Sequence, residues 1–245
     1  MDNTHLILLL TGVTLVAFLY SSVGHAGASG YIAVMTLCGL STNFIRPTAL
    51  VLNILVASIA AFQFWRAGHF SWRLFWPFSL LCLPAAYLGG SLQLPTSIFK
   101  VLIGAVLLFS AARLFFRQID SPDITLPPVS GAVGIGAGLG LLAGLTGTGG
   151  GIFLTPLLLF CRWASIRRAA AVSALFILLN SVAGLAGYVS SGRPVPSFAW
   201  ILAVAAVIAG TLGSQLGSRH FPVRTISVIL ATVLVLAGCK LIFGN

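Results

Sequence analysis

Apolar runs and short polar breaks alternate from one end of the chain to the other. Apolar segments fall at about 5–20, 30–42, 47–65, 74–92 and 98–116, and again at about 129–145, 151–161, 169–190, 197–217 and 223–243. Between the two sets lies a polar linker, RQIDSPDITLPP, which carries Asp120, Asp123, Pro127 and Pro128. Runs of this kind predict membrane-crossing helices, which need about 20 apolar residues each. The short alternating segments of a β-barrel are not seen. The stretch from Leu6 to Leu40 fits poorly: it is too long for one crossing and too short for two. It contains SSVGHAGASGYIAV, and its counterpart in the second set is GLTGTGGGIFLTPLLL, from Gly144 to Leu159. Glycine inside a helix costs roughly 1 kcal/mol relative to alanine. Each cluster therefore predicts a break, with two short helices meeting at a glycine turn within the membrane. Irregular backbone at that depth survives only when buried in protein or lining a watery cavity.

Composition supports the membrane reading. Of 245 residues, 58% are hydrophobic and 7% charged, against about 25% charged in a soluble domain, and the mean hydropathy is +1.08. The balance of 13 Lys+Arg to 3 Asp+Glu would suggest nucleic acid in a soluble protein. Here the basic residues flank apolar runs, as loops at a membrane surface do, so nucleic acid is not an expected partner. The start, MDNTHLILLL, lacks a basic n-region and a small-residue cleavage site and reads as an uncleaved first span. Cys38, Cys82, Cys161 and Cys239 are scattered, which supports neither a metal site nor a disulfide framework. The aromatic run FQFWRAGHFSWRLFWPF reads as an interfacial belt, and Pro77, Pro84 and Pro156 as kinks or breaks.

The two sets of segments share a rhythm. A shift of 120 puts Gly24 on Gly144, Gly27 on Gly147, Gly30 on Gly150, Ile32 on Ile152 and Leu55 on Leu175; four residues of insertion later, Gly68 meets Gly192, Gly89 meets Gly213 and Lys100 meets Arg224. The shared order predicts a duplication. If residues 5–42 made one crossing, the basic residues would divide 6 against 7. If the chain turns back at each glycine cluster, Arg66, Arg73, Arg113, Arg117, Arg162, Arg167, Arg168, Arg219 and Arg224 share a side and only Arg46, Lys100, Arg193 and Lys240 face them, 9 against 4. The positive-inside rule favours the second layout. The expected fold is thus an all-α polytopic protein of the cell inner membrane, with both termini outside the cytoplasm. It has two inverted repeats, residues 1–119 and 129–245, joined by a linker at 120–128. Each repeat is a re-entrant glycine-rich helical hairpin followed by three transmembrane helices.

Broken helices paired in this way form transporter sites near the midplane. Gly147, Gly149, Gly150 and Gly151 can leave N–H groups unpaired at a helix start, where the dipole also favours an anion. A P-loop would need Lys-Ser/Thr where Ile152-Phe153 stands. The competing reading is close packing, which Gly136, Gly140 and Gly144 suit well; Gly140→Ala would then cost only about 1 kcal/mol. All three acids, Asp2, Asp120 and Asp123, lie at the terminus or in the linker, so a carboxylate-based cation pump is not expected. His25 sits in the first turn, where it reads either as a substrate or proton-coupling group or as a satisfied structural histidine. Neutral polar residues gather at both turns and in the helices after them. The candidate substrate-binding set is Ser22, His25, Gly27, Ser29, Gly30, Tyr31, Asn53, Thr146, Gly147, Thr148, Gly149, Gly150, Gly151 and Asn180. Ser173 and Ser181 complete the polar positions on the second long helix. Interhelical bonding is the alternative for the asparagines. No nucleophile–base pair or metal cluster stands out, so neither an enzyme nor a cofactor is expected.

The doubled pattern of a glycine-rich turn, an Arg-led helix with polar residues and then RAGHFSWRLFWPF resembles the TauE/SafE sulfite-exporter family. GTGGGIFLTPLLL is similar to that family's run of three glycines followed by proline, and the resemblance covers essentially the whole chain. It implies export, or in some members uptake, of small sulfur-containing or carboxylate anions such as sulfite, sulfoacetate and sulfonates. It also implies about eight spans, where the count made here has two half-helices more. The first half departs from the motif, with Ala28-Ser29 and Tyr31 where the second has Thr148-Gly149 and Gly151. The expected function is a secondary permease working by alternating access; an anion channel, or a membrane accessory protein without a transport cycle, is the other class. The substrate, direction, coupling ion and oligomeric state are not legible.

The basic asymmetry puts the 66–73, 117–128, 162–168 and 218–222 loops in the cytoplasm. Cysteines placed at Ser71 or Ser165 in a cysteine-free chain should resist an impermeant thiol reagent in intact cells; strong labelling of either would sink this layout.

Overall fold

The computed structural model of the chain describes residues 3–22, 27–115, 125–220 and part of 231–243. Among the described residues every regular element is helical, as expected where only internal hydrogen bonds can satisfy the backbone. In chain order the helices are α1 (Asn3–Ser22), α2 (Ala28–Leu37), α3 (Thr42–Arg66), α4 (Trp72–Ser91), α5 (Thr96–Phe115), α6 (Val129–Thr146), α7 (Gly151–Phe160), α8 (Ile166–Ser190) and α9 (Phe198–His220). By length and composition α3, α4, α6 and most of α8 can cross a membrane, and α1, α2, α5, α7 and α9 supply shorter apolar stretches. The ten-residue helices α2 and α7 reach only about 15 Å. They are the two elements by which a count of ten segments differs from eight spans. The break is thus less even than two short helices would be, since an 18-residue α6 meets a ten-residue α7. Pro77, Pro84 and Pro156 lie within α4 and α7 and do not end them.

The chain forms two compact units, and neither is a half of the sequence. The first takes residues 1–52, 94–116 and 195–245, the second 53–93 and 117–194. Helix α4 therefore joins α6, α7 and α8, while α9 joins α1 and α2. The boundary falls inside α3, between Leu52 and Asn53.

In the second unit α4 is held by backbone-on-backbone contact. Gly136, Gly140 and Gly144 of α6 lie against the carbonyls of Phe78, Cys82 and Ala86, and Gly187 of α8 against that of Tyr87. The order of these contacts makes α4 parallel to α6, and the succession Cys82–Asn180, Tyr87–Gly187 and Ser91–Ser191 makes it parallel to α8. Helix α7 runs the other way along α8, with Gly151 beside Ile177 and Thr155 Oγ1 2.8 Å from Ser173 Oγ. Leu154 and Leu158 of α7 close an apolar core with Phe75, Phe78, Val172 and Phe176. This directionality gathers three connections at one end. Phe70 and Trp163 share that core, and the Thr125 N–H donates to the Arg162 carbonyl at 3.0 Å. Arg66, Arg73, Arg162, Arg167 and Arg168 all belong to this end. At the other end Arg193 Nη2 donates to the carbonyls of Gly90 (2.7 Å) and Ser91 (3.0 Å). Its guanidinium lies 4.1 Å over the Tyr188 ring, a cation at a helix C-terminus where the dipole favours it.

The first unit has the same local plan. Helices α1 and α2 form an antiparallel hairpin in which Gly30 meets Val16 and Tyr20, and Gly12 meets Val34. The chain thus turns back at the first glycine cluster. Gly213 of α9 lies against the Phe18 carbonyl of α1. Lys240 Nζ donates to the last carbonyls of α2, Thr36 at 3.1 Å and Leu37 at 3.0 Å.

These contacts overturn the modest cost expected at Gly140. A Cβ there would overlap the backbone of Cys82, whereas one at Gly138 would meet nothing within 4 Å. Gly140→Ala should cost about 2–3 kcal/mol of stability through overpacking. Gly138→Ala should be neutral or stabilising by up to about 1 kcal/mol. Thermal melts of the two variants in detergent check the contrast.

Candidate functional site

The break between α6 and α7 is written in backbone angles. Gly147, Gly149 and Gly150 have φ of 81°, 71° and 77°, a left-handed region that residues with a Cβ rarely adopt. Gly147 ends α6 as its C-cap, with its N–H bonded to the Ala143 carbonyl at 2.8 Å. Gly150 is the N-cap of α7 and supplies no side-chain cap. The N–H groups of Gly151 and Ile152, in the first turn of α7, thus have no intrahelical acceptor. The positive end of the helix dipole adds to them.

The carbonyls of the break are treated differently, because side chains bond them. Asn53 Nδ2 donates to the Gly147 carbonyl at 3.0 Å, Thr146 Oγ1 to Leu142 at 2.7 Å, and Thr155 Oγ1 to Gly151 at 3.0 Å. Thr146 Oγ1 also lies 2.9 Å from Thr148 Oγ1. The donor brought by α3 is used on a carbonyl, the Thr148 N–H reaches Thr146 Oγ1 at 3.4 Å, and the first-turn N–H groups of α7 are left over. That arrangement suits an acceptor-rich, negatively charged ligand.

One face of α8 follows the break. Ser173, Ile177 and Ser181 recur every four residues and meet Thr155, Gly151 and Gly149 in turn. Ser181 Oγ lies 3.0 Å, and Asn53 Nδ2 3.4 Å, from where a Gly149 Cβ would stand. Both residues are fully buried, and Ser181 Oγ and Asn53 Oδ1 have no hydrogen-bond partner. Several hydroxyls inside helices bond the carbonyl one turn back, as Ser58, Ser110, Thr14 and Thr211 do, although buried Thr36 and Thr48 do not. Ser181 forgoes that bond. Asn180, the next residue back, stands beside the Cys82 thiol of α4. A thiol is a weak partner, and neither amide atom of Asn180 makes a hydrogen bond of ordinary geometry.

Of the sequence-predicted residues, Asn53, Thr146, Gly147, Thr148, Gly149, Gly150 and Gly151 come together in the second unit, with Asn180 turned to α4. Ser181 joins them. Its four-residue spacing from Ile177, and that of Ile177 from Ser173, is the signal that could have selected it. Gly27, Ser29, Gly30 and Tyr31 belong to the first unit. Gly27 is the N-cap of α2 with φ 79° and no side-chain cap. Ser29 Oγ pairs with Tyr20 OH at 3.0 Å, and the buried Tyr31 OH has no partner. This turn is closely packed like its counterpart: Gly30 is pressed by Val16 and Tyr20, and the Tyr31 ring closes on Gly27. His25 and the Ser22 side chain lie outside the described residues.

Residues 8–241 match the family model described as Sulfite exporter TauE/SafE. The chain is 39% identical over 248 residues to the probable membrane transporter protein y4hK of Sinorhizobium fredii, an alignment covering 98% of this chain and all of that one. It is 31% identical over 134 residues to the probable membrane transporter protein YunE of Bacillus subtilis, covering 54% of this chain and 48% of that one. It is 24% identical over 212 residues to the probable membrane transporter protein MJ0441 of Methanocaldococcus jannaschii, covering 80% and 78%. No solved structure matches. The chain belongs to the TauE/SafE sulfite exporter family.

Ser181 and Ser173 share a buried face of α8 but differ in bonding, so their alanine variants should separate. Ser181→Ala removes a hydroxyl with no partner and should leave stability unchanged or raise it by about 1 kcal/mol. Ser173→Ala breaks the bond to Thr155 and should lower stability by about 1 kcal/mol. Unfolding midpoints in detergent measure both.

Proposed function

We propose that the chain is a secondary permease for a small sulfur-containing anion (sulfite, sulfoacetate or a related sulfonate), working by alternating access in the export direction. The observation that carries this reading is the surplus of N–H donors at the start of α7, beside buried Ser181 and Asn53 with polar atoms left over. The first turn of α2, with Ser29, Tyr31 and Gly27, is a second element of the same kind. His25, beside it in sequence, is the candidate for proton coupling.

The transport cycle in this reading rests on an inverted duplication of residues 1–119 and 129–245 about a linker at 120–128. Helix lengths support the duplication. The first half runs 20, 10, 25 and 20 residues from α1 to α4. The second runs 18, 10, 25 and 23 from α6 to α9. The packing repeats as well: α4 lies along α6, and α9 along α1. These are equivalent pairs under the sequence shift, and each joins a helix of one half to the other half. The distribution of basic residues supports the inverted sense and termini outside the cytoplasm, and the apolar helices support a multi-pass location, here the inner membrane.

Purified protein in proteoliposomes should give saturable sulfite flux. Gly150→Val puts a branched side chain at φ 77° and against Phe176, which distorts the start of α7. A Gly150→Val preparation that remains monodisperse should lose at least about tenfold in flux. Flux that rises linearly with concentration would make the protein a channel. Parent-level flux in the variant would move the site away from this turn.

A further inference from the structure

The end of the second unit where α3 stops and α4 and α8 start carries five arginines. Arg66 is the last residue of α3, Arg73 the second of α4, and Arg167 and Arg168 the second and third of α8. Arg162 follows the C-cap of α7 by one residue. All five are exposed, and among the described residues none of their guanidinium groups has a hydrogen-bond or ion-pair partner. Arg193, at the opposite end, is by contrast engaged with the carbonyls of Gly90 and Ser91.

Helix stability does not account for these charges. Arg73, Arg167 and Arg168 stand in first turns, where the helix dipole disfavours a cation, and neither helix has an acidic residue in that turn to offset them. Arg162 has φ 56°, the one positive value outside glycine among the described residues. The residue in the same place after α2 is Gly39, with φ 77°, a region that glycine enters freely and residues with a Cβ rarely do. The second half thus keeps an arginine where glycine suits the backbone.

The depth of the charges indicates the partner. Helix α4 has 20 residues and α6 has 18, a length of about 27–30 Å, so their ends stand at the edges of a hydrocarbon layer of about 30 Å. Trp65 and Trp72, next to Arg66 and Arg73, are 67% and 64% exposed, and tryptophan at that level marks the membrane interface. Phe160, two residues before Arg162, is 89% exposed. Aromatic surface beside unpaired guanidinium groups fits a ligand that is apolar on one side and anionic on the other. Segment 117–128 adds Arg117 against Asp120 and Asp123, which leaves this end strongly positive. We propose that it binds the phosphate headgroups of anionic phospholipids, through Arg162, Arg167 and Arg168 on the α7–α8 connection and Arg66 and Arg73 on the α3–α4 connection. Guanidinium groups suit phosphate because they offer paired donors in a fixed plane. The proposal does not rest on the reading of the glycine turn as an anion site.

Lipid retention tests the proposal. Purified protein is exchanged into neutral-detergent micelles holding equal amounts of dioleoylphosphatidylglycerol and dioleoylphosphatidylcholine, and the lipid that stays bound is counted by mass spectrometry. The anionic lipid should be retained at least about tenfold over the neutral one, since each arginine near such a headgroup contributes about fivefold. The preference should weaken with added salt. Neutralising Arg162, Arg167 and Arg168 together as glutamine should lower it at least about fivefold, and so should Arg66→Gln with Arg73→Gln. Lys100→Gln, in the first unit, should leave it unchanged. Arg162→Gly separates charge from backbone: it should lower the preference by about fivefold with no loss of melting temperature. Excess inorganic phosphate should displace none of the lipid. Equal retention of the two lipids, or a preference that persists in the folded arginine variants, overturns the proposal. Displacement by free phosphate overturns it too, and would make the patch a site for a soluble anion.

Discussion

A helix broken inside an apolar layer exposes peptide groups with no water to bond them, and each such group costs several kcal/mol. The rest of this structure can be followed from how that cost is met at Gly147–Gly151. On the carbonyl side a neutral side chain from a distant part of the chain, Asn53, bonds Gly147, while Thr146 and Thr155 bond Leu142 and Gly151 one turn back within their own helices. The N–H side is left open at the start of α7, with no side-chain cap. The imbalance is chemical in kind, because it leaves donors and removes acceptors. A glycine turn whose residues served packing alone would have no need to draw a long-range partner such as Asn53 onto its carbonyl.

The turn holds its shape because its surroundings cannot yield. Helices α4, α6 and α8 touch through backbone atoms, at Gly136, Gly140, Gly144 and Gly187. Contacts of that type leave no flexible side chain to absorb a shift, and packed interiors respond to change in steps. Arg193 fixes the end of α4 by bonding Gly90 and Ser91. The half-length α7 is then set against a rigid wall, the Ser173–Ile177–Ser181 face of α8. Its N-terminus is positioned by elements that lie far apart in the chain, which is what a site of fixed geometry requires.

Much of this was legible in residue order. Apolar periodicity gave helices throughout, glycine clusters marked both breaks, and the basic residues grouped the turns near Arg66, Arg73, Arg162, Arg167 and Arg168, which the second unit gathers at one end. Asn53 stood out as a polar residue in an apolar helix. Three things were hidden. The exchange that puts α4 with α6 and α8 depends on contacts distant in sequence, which no local pattern encodes. The severity of a change at Gly140 depends on which neighbour it touches, and Gly138, two residues away, touches none. Ser181 was seen as polar yet stood apart from the favoured set, because its significance lies in a bond it does not make. A helical hydroxyl can be satisfied by the preceding turn, and residue order does not say which of them, like Ser181, Thr36 and Thr48, are not.

The residues around the second turn are all neutral: Asn53, Thr146, Thr148, Ile177 and Ser181. In the proposed reading of the chain as an anion carrier, that is a consequential choice. A buried arginine or lysine would pull harder on the ligand, but it would need a partner whenever the site was empty, and a lone buried charge is expensive. Peptide N–H groups and a helix dipole carry partial charge that is oriented in advance, and they require no such partner. Their grip is also weaker, and a carrier must release what it binds on the far side. With full charges kept at the ends of the second unit and partial charges at the break, long-range attraction and local selection fall to different parts of the molecule. In the proposed reading, charge then draws anions to the protein, while the neutral groups at the break hold them.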